Sequence, residues 1–144
     1  MSTLASEGRL ERALRRAIAA TTRTDHAAAS AAGVTFSTCY AQVLDLLVLH
    51  GPLSPGQLAQ LTGITSSGTI TGSIDALERA GYVRRVRCVV DRRKVAVELN
   101  EDKVASLGAA RTSRLAALTE GYTEGERAAI ADFLERLAES ELPS

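Results

Sequence analysis

The chain has 144 residues, of which 45% are hydrophobic, 24% are charged and 3% are aromatic. This length suits about one domain, and the balance is that of an ordinary globular protein. No apolar run reaches the roughly 18 residues that a membrane span needs, so we expect no membrane partner. The first residues lack a basic stretch followed by an apolar core, which predicts no secretory signal and a cytoplasmic location.

The formal net charge is zero, but the charges are unevenly distributed. Residues 54–99 carry seven Arg or Lys against four Asp or Glu, whereas residues 100–144 carry five against nine. A basic segment beside an acidic one is typical of nucleic-acid binding, although a solvated mosaic of surface charges gives the same counts. The three arginines within residues 84–87 favour nucleic-acid binding.

Cysteine and histidine do not form a recognisable site in the sequence. Cys39, Cys88, His26 and His50 show no CxxC, HxxxH or HExxH spacing, so we expect no metal and no disulfide scaffold. The phosphate-binding patterns GxGxxG and GxxxxGK are absent, and two scattered histidines do not define a general base. We therefore expect no cofactor and no enzymatic activity.

The first half of the chain predicts four helices. Apolar residues at helical spacing indicate a long helix over 5–31, and Ser37 or Thr38 is a suitable N-cap for a second helix that ends at Gly51. Leu53 is predicted to form at most a single strand residue before the next helix. A short third helix follows over residues 54–63, opened by a Ser-Pro-Gly-Gln capping box, and a fourth runs to residue 80 from a cap at residue 65 or 66.

The second half predicts a hairpin and two more helices. Residues 82–87 and 93–99 alternate with period two around a loop at 88–92. This alternation places Arg84 on the opposite side from Arg85 and Arg87. Asn100 is a candidate cap for a helix over 101–120, and Thr123 opens a last helix with a second capping box. The predicted order is α-α-(β)-α-α-β-β-α-α.

Three stretches, residues 51–65, 69–83 and 91–99, resemble the MarR (multiple antibiotic resistance regulator) family of bacterial transcription factors. The specific part is Leu77-Glu-x-x-Gly-x-Val83 combined with the pair Asp91-x-Arg93. The resemblance implies a mostly α fold with a small β-wing, in which a winged helix-turn-helix is flanked by N- and C-terminal dimerisation helices. We expect a single domain over 1–144, with dimerisation helices at 5–35 and 101–140 and a DNA-binding module at 36–100.

We expect a homodimer, because the first and last helices have apolar stripes but no core of their own, and such helices usually pack against a second copy. The expected function is a repressor that binds a pseudo-palindromic operator in double-stranded DNA and is released by a small-molecule effector. Residues 66–80 would lie in the major groove, Asp91 would orient Arg93 in the minor groove, and Asp75 and Glu78 would be structural. Together with the basic residues of the hairpin, the predicted DNA-binding residues are Ser66, Ser67, Thr69, Thr71, Gly72, Arg84, Arg85, Arg87, Asp91, Arg92 and Arg93.

Two positions depart from the family pattern, in which a basic and an apolar residue usually stand where this chain has Gly72 and Ser73. Gly72 either allows the backbone to approach DNA closely or reflects drift in a helix held by tertiary contacts. The fourth helix has no Lys or Arg between Ser66 and Glu78. Base readout would therefore depend on hydroxyls, methyl contacts and DNA shape, with the wing arginines supplying affinity.

In this family effectors usually bind between the dimerisation helices and the DNA-binding module. The positions near that junction are His26, Cys39, Tyr40 and Asp45, each of which also has an ordinary structural interpretation. Cys39 is a candidate oxidant sensor or a small core residue, and Cys88 has a more basic neighbourhood. The alternative function is a winged helix that binds a protein partner without DNA, and salt-sensitive binding to duplex DNA would distinguish the two.

Overall fold

A computed structural model describes residues 3–33, 35 and 37–142, and this part of the chain contains six helices and one two-stranded sheet. Residues 34 and 36, which belong to the predicted ranges 5–35 and 36–100, lie outside the described residues. The elements are α1 (Thr3–Ala31), α2 (Thr38–His50), α3 (Pro55–Thr62), α4 (Ser67–Arg79), β1 (Val83–Arg87), β2 (Val95–Leu99), α5 (Glu101–Thr119) and α6 (Glu124–Glu141). The predicted order of elements is confirmed.

Local capping chemistry sets most helix starts. Ser37 accepts a hydrogen bond from the backbone N–H of Cys39 at the start of α2. Ser54 forms a reciprocal capping box with Gln57, and Ser66 caps α4 by accepting from the N–H of Thr69. These predicted caps are confirmed, because each needs only residues within three positions of one another.

The predicted cap of α5 is only partly confirmed. Asn100 stands at the N-cap position, but its side chain does not make the capping hydrogen bond. The predicted capping box of α6 is present, with Thr123 and Glu126 bonded in both directions.

A glycine turn separates α4 from β1. Gly81 adopts a φ of 83°, and its N–H donates to the carbonyl of Glu78 while the N–H of Tyr82 donates to the carbonyl of Leu77. This is the Schellman pattern that satisfies the last carbonyls of a helix. Because the N–H of Tyr82 is hydrogen-bonded to the last turn of α4, β1 begins one residue later than the predicted start at residue 82.

The hairpin β1–β2 is antiparallel, with Val83 opposite Leu99 and Arg87 opposite Val95. The loop predicted at residues 88–92 is too short at its C-terminal end. Lys94 donates its N–H to the carbonyl of Asp91 and accepts from the N–H of Cys88, so the loop runs through residue 94 and β2 starts at Val95. Leu53 pairs with Val97 in an isolated antiparallel bridge, which confirms the predicted single strand residue.

The core is an apolar cluster shared by α2, α3, α4 and the hairpin. α2 packs against α3, α4 and β2, and α4 also packs against β1. The fully buried side chains are Val43, Leu47, Leu58, Ile70, Ile74, Leu77 and Val97. They recur every three or four positions on the helices, which is the spacing that places side chains on one helix face.

The chain divides into two compact units, Met1–Leu99 and Asn100–Ser144. α1, α5 and α6 have no buried residue in the single chain. Their apolar stripes remain exposed, at 55% for Ile18, 67% for Leu118 and 48% for Phe133. The prediction of one domain with dimerisation helices at 5–35 and 101–140 stays a prediction.

None of the helices within residues 3–33 and 37–142 combines the length and the apolar character that crossing a bilayer requires.

Candidate nucleic-acid interface

The exposed face of the first half of α4 is polar and built from small side chains. Ile70, Ile74 and Leu77 are buried on its other face, which fixes how the helix is rotated on the core. Five of the predicted DNA-binding residues are therefore exposed together at the start of this helix: Ser66, Ser67, Thr69, Thr71 and Gly72. An added Cβ at Gly72 would meet no atom within 4 Å, so the surface is open at that point.

Ser73 is the one polar residue that is buried on the inner face of α4 within the described part of the chain. Its hydroxyl lies 2.8 Å from the carbonyl of Thr69 and 3.0 Å from the sulfur of Cys39. The departure from the family pattern at this position thus has a structural role, because the hydroxyl is satisfied and links α4 to the first turn of α2.

Arg85 connects the hairpin to α4. Its guanidinium donates to Asp75 at 2.6 Å and to Glu78 at 2.9 Å, and its backbone N–H donates to Glu78 at 3.0 Å. Burial lowers the pKa of Arg85, but its hydrogen bonds and charge interactions with the two carboxylates outweigh this and hold the pKa above its ordinary value. The predicted structural role of Asp75 and Glu78 is confirmed.

This network changes the interpretation of Arg85. Two carboxylates already neutralise its charge, and its side chain is only 29% exposed. The prediction that Arg85 contacts DNA stays a prediction, and the geometry favours a structural link between helix and wing. No sequence pattern indicates this contact directly, because Arg85 and Asp75 are ten positions apart on different elements.

The other two strand arginines also have partners. Arg84 forms an ion pair with Glu98, the residue directly opposite it in the sheet register. Arg87 donates from its guanidinium to the carbonyl of Arg92 at 2.8 Å, across the base of the loop. The partner of Arg87 in this contact is a neutral carbonyl, whereas the partner of Arg84 is a carboxylate.

The wing tip is residues 88–94. Asp91 accepts from the backbone N–H of Arg93 at 3.1 Å and from its Nε at 3.2 Å, while the side chain of Arg93 is 92% exposed. The predicted pair is therefore present as geometry: the aspartate orients an arginine that projects into solvent. Hydrogen bonds from the backbone N–H groups of Asp91 and Val90 lower the pKa of the Cys88 thiol.

The predicted effector residues are spread over two helices. Cys39 is buried and Tyr40 half-buried in the first turn of α2, Asp45 is exposed further along α2, and His26 is exposed on α1. Their joint role in binding an effector stays a prediction. In the described residues, no group of three or more His, Cys, Asp or Glu side chains is arranged to hold a metal ion.

Taken together, α3, the turn and α4 followed by a basic hairpin form a winged helix-turn-helix, the class of module that presents one helix to the major groove of DNA. A family model described as MarR family matches residues 32–94. The HTH-type transcriptional regulator YcgE of Bacillus subtilis is 32% identical over 145 residues, which cover 96% of this chain and 93% of YcgE. The chain belongs to the MarR family.

Two further comparisons agree with this assignment. The HTH-type transcriptional repressor YetL of Bacillus subtilis is 34% identical over 93 residues, 60% of this chain and 55% of YetL. The fold is similar to that of Streptococcus pneumoniae FabT solved in complex with DNA, with a TM-score of 0.66 and 21% identity over 92% of this chain and 95% of FabT. MarR-family regulators are non-enzymatic, so the chain is a DNA-binding transcriptional regulator and not an enzyme.

Proposed function

We propose that the chain acts as a homodimeric repressor, in the cytoplasm of a bacterial cell, that binds a pseudo-palindromic operator and is released by a small-molecule effector. The observation that carries the DNA-binding part is the wing tip, where Asp91 holds Arg93 in an exposed position on the unit that also contains α4. A guanidinium that is already oriented loses less conformational entropy on binding, and narrow minor grooves attract arginine.

Within this proposal the α4 surface enters the major groove and the wing follows the backbone into the adjacent minor groove. Ser66, Ser67, Thr69 and Thr71 would donate to phosphates and base edges, and their methyl and methylene groups would contact thymine methyls. At the wing, Arg87, Arg92 and Arg93 would supply most of the electrostatic attraction, while Arg84 and Arg85 keep the hairpin in place.

The apolar stripes of α1, α5 and α6 support the dimer. Leu10, Ile18, Leu115 and Phe133 are each about half exposed in the single chain, at 54%, 55%, 55% and 48%. Exposed apolar residues repeating along long helices are a usual sign of a partner helix. A second copy would bury these stripes and would place two α4 helices about one helical turn apart on the DNA, roughly 34–36 Å.

The proposed repression is supported by a relative, and the proposed effector release by the residues predicted to lie between the dimerisation helices and the DNA-binding module. YetL, with which the chain shares 34% identity over 93 residues, is named as a repressor. An effector near His26, Cys39, Tyr40 and Asp45 would release the operator by favouring a dimer with a different spacing of its wings, which is a population shift.

The test is selection of bound sites from a random duplex pool at two salt concentrations. We expect an inverted repeat and an affinity that falls steeply with salt. Arg93→Ala should weaken binding to the selected duplex with little change in melting temperature, because its side chain is 92% exposed. Arg136→Ala is the matched control, since it removes the same charge from an exposed ion pair on α6. An unchanged dissociation constant for Arg93→Ala would contradict the role of the wing, and recovery of a protein partner with no enriched duplex would favour the protein-interaction module.

A further inference from the structure

Two valines at the wing tip are almost completely exposed. Val89 is 94% and Val90 is 96% exposed, which is more than any other large hydrophobic residue of the described chain. Among the other valines of the hairpin, Val83 and Val97 are buried, and Val86 and Val95, which lie nearer the tip, are half-buried. The exposure of Val89 and Val90 is therefore a local property of the tip and not of the wing as a whole.

The loop backbone holds these valines away from the core. Cys88 donates its N–H to the carbonyl of Lys94 at 2.9 Å, and Lys94 donates to the carbonyl of Asp91 at 3.0 Å. These bonds close the loop on both sides of the valines. Because β-branched side chains have few rotamers, the two apolar groups are presented in nearly fixed positions and lose little entropy when they are covered.

The charges around the tip identify the chemistry of the partner. Four cations lie within residues 87–94, namely Arg87, Arg92, Arg93 and Lys94, against the single acid Asp91, which is bonded to Arg93. A matching partner has negative charge along its rims and an apolar surface between them. The minor groove of DNA has this arrangement, since phosphates line its edges and deoxyribose rings form its walls, and its width of roughly 6 Å admits short side chains.

We propose that Val89 and Val90 pack into the minor groove beneath the wing and select A·T pairs there. This inference rests on the proposed function, in which the wing binds DNA. Guanine carries an N2 amino donor on the floor of the groove, and A·T pairs do not. Valine methyls packed over that amino group would displace its water and offer no hydrogen-bond acceptor in return. Desolvating a polar group without a new hydrogen bond costs free energy, so binding to G·C pairs would be weaker.

The experiment compares two defined duplexes, poly(dI-dC) and poly(dG-dC), as probes for the full-length protein. Inosine and guanine are identical in the major groove and differ by the N2 amino group in the minor groove. We expect the wild-type protein to bind the inosine duplex about tenfold more tightly, as measured by fluorescence anisotropy at fixed salt. The reason is that the inosine duplex lacks the N2 amino group that the valines would desolvate in the guanine duplex.

The variant Val89→Thr/Val90→Thr keeps the shape of both side chains and exchanges two methyls for hydroxyls. Since one buried CH₂ is worth about fourfold in an equilibrium constant, we expect about tenfold weaker binding to poly(dI-dC) and a reduced preference over poly(dG-dC). The salt slope should not change, whereas Arg92→Ala should reduce it by about one. Val48→Thr, the same exchange at an exposed site on α2, is the matched control and should bind as the wild type does.

Each alternative result has a distinct meaning. Equal binding of the wild-type protein to both duplexes, or an unchanged affinity of the double variant, would overturn the inference while leaving DNA binding intact. A double variant that keeps its duplex preference but changes its sedimentation coefficient would assign the valines to a protein contact and would also overturn it. Failure of the wild-type protein to bind either duplex at low salt would refute the proposed function itself.

Discussion

Replacing Gly72 by alanine is expected to stabilise the protein and weaken its binding to DNA. Gly72 lies inside α4, has no positive φ, and is exposed. A Cβ added there would meet no atom within 4 Å, so the substitution introduces no clash in the free protein. Alanine is favoured over glycine in a helix interior by roughly 0.8–1.0 kcal/mol, mainly because the unfolded chain loses freedom.

This gain in the free energy of unfolding can be measured by circular dichroism. For a chain of 144 residues, about 1 kcal/mol corresponds to a rise in melting temperature of about 3–5 °C. Gly108→Ala is the matched control. Gly108 also lies inside a helix, α5, with no atom within 4 Å of an added Cβ, and it is outside the DNA-binding module. Both variants should gain similar stability.

The two variants should differ in DNA binding. If the backbone of α4 comes close to DNA at Gly72, an added methyl group must move the helix outward, and we expect about tenfold weaker binding, or about 1.4 kcal/mol. Gly108→Ala should bind DNA as the wild type does. A Gly72→Ala variant that melts no higher would refute the helix argument. One that melts higher and binds equally well would show that Gly72 reflects drift and not a close approach.

Three further predictions concern Arg85, Cys88 and Glu126. Arg85→Ala should lower the free energy of unfolding by about 1 kcal/mol, a modest amount because the carboxylate partners of Arg85 are partly exposed. It should also weaken DNA binding, because the wing would be held less firmly against α4. Loss of stability with unchanged affinity would show that the hairpin position does not depend on this link. Iodoacetamide should modify Cys88 before the buried Cys39, and at a lower pH than an ordinary thiol because the pKa of Cys88 is lowered; equal rates followed by mass spectrometry would contradict this. Hydrogen bonds from Thr123 lower the pKa of Glu126, so its contribution to stability is present above the ordinary pKa of 4.5 and is lost as the pH falls through the lowered value. Thermal melts of wild type and Glu126→Ala should therefore converge in acid, and a constant difference from pH 7 to pH 2 would exclude this role.

Local features of the fold were predictable from the sequence, and contacts across elements were not. The caps at Ser54 and Thr123 depend on side chains three positions away, so the sequence contains the whole interaction. The partners of Arg85 lie on another helix, and nothing in the alternation of the strand distinguishes an arginine that contacts a carboxylate from one that faces solvent. The family pattern did indicate Asp75 and Glu78 as structural, although it did not identify the arginine that they bind.

The exact ends of the hairpin strands were also not predictable from the hydrophobic pattern. Tyr82 alternates correctly with the strand residues, yet its N–H is used to close α4. The hydrophobic pattern therefore extends one residue beyond the hydrogen-bonded ladder. The two valines of the tip lie in the loop that was predicted at residues 88–92, but their almost complete exposure was not predicted, because a loop assignment does not show whether apolar side chains fold back onto the core.

The distribution of cations within the module has a kinetic consequence. α4 carries no Lys or Arg between Ser66 and Glu78, whereas the wing has Arg87, Arg92, Arg93 and Lys94. A regulator built in this way would hold non-specific DNA through its wing, while α4 would leave and re-enter the major groove without breaking the phosphate contacts of the wing. Movement along the duplex would then be limited by a small number of ion pairs, which favours rapid one-dimensional search for the operator among many competing sites.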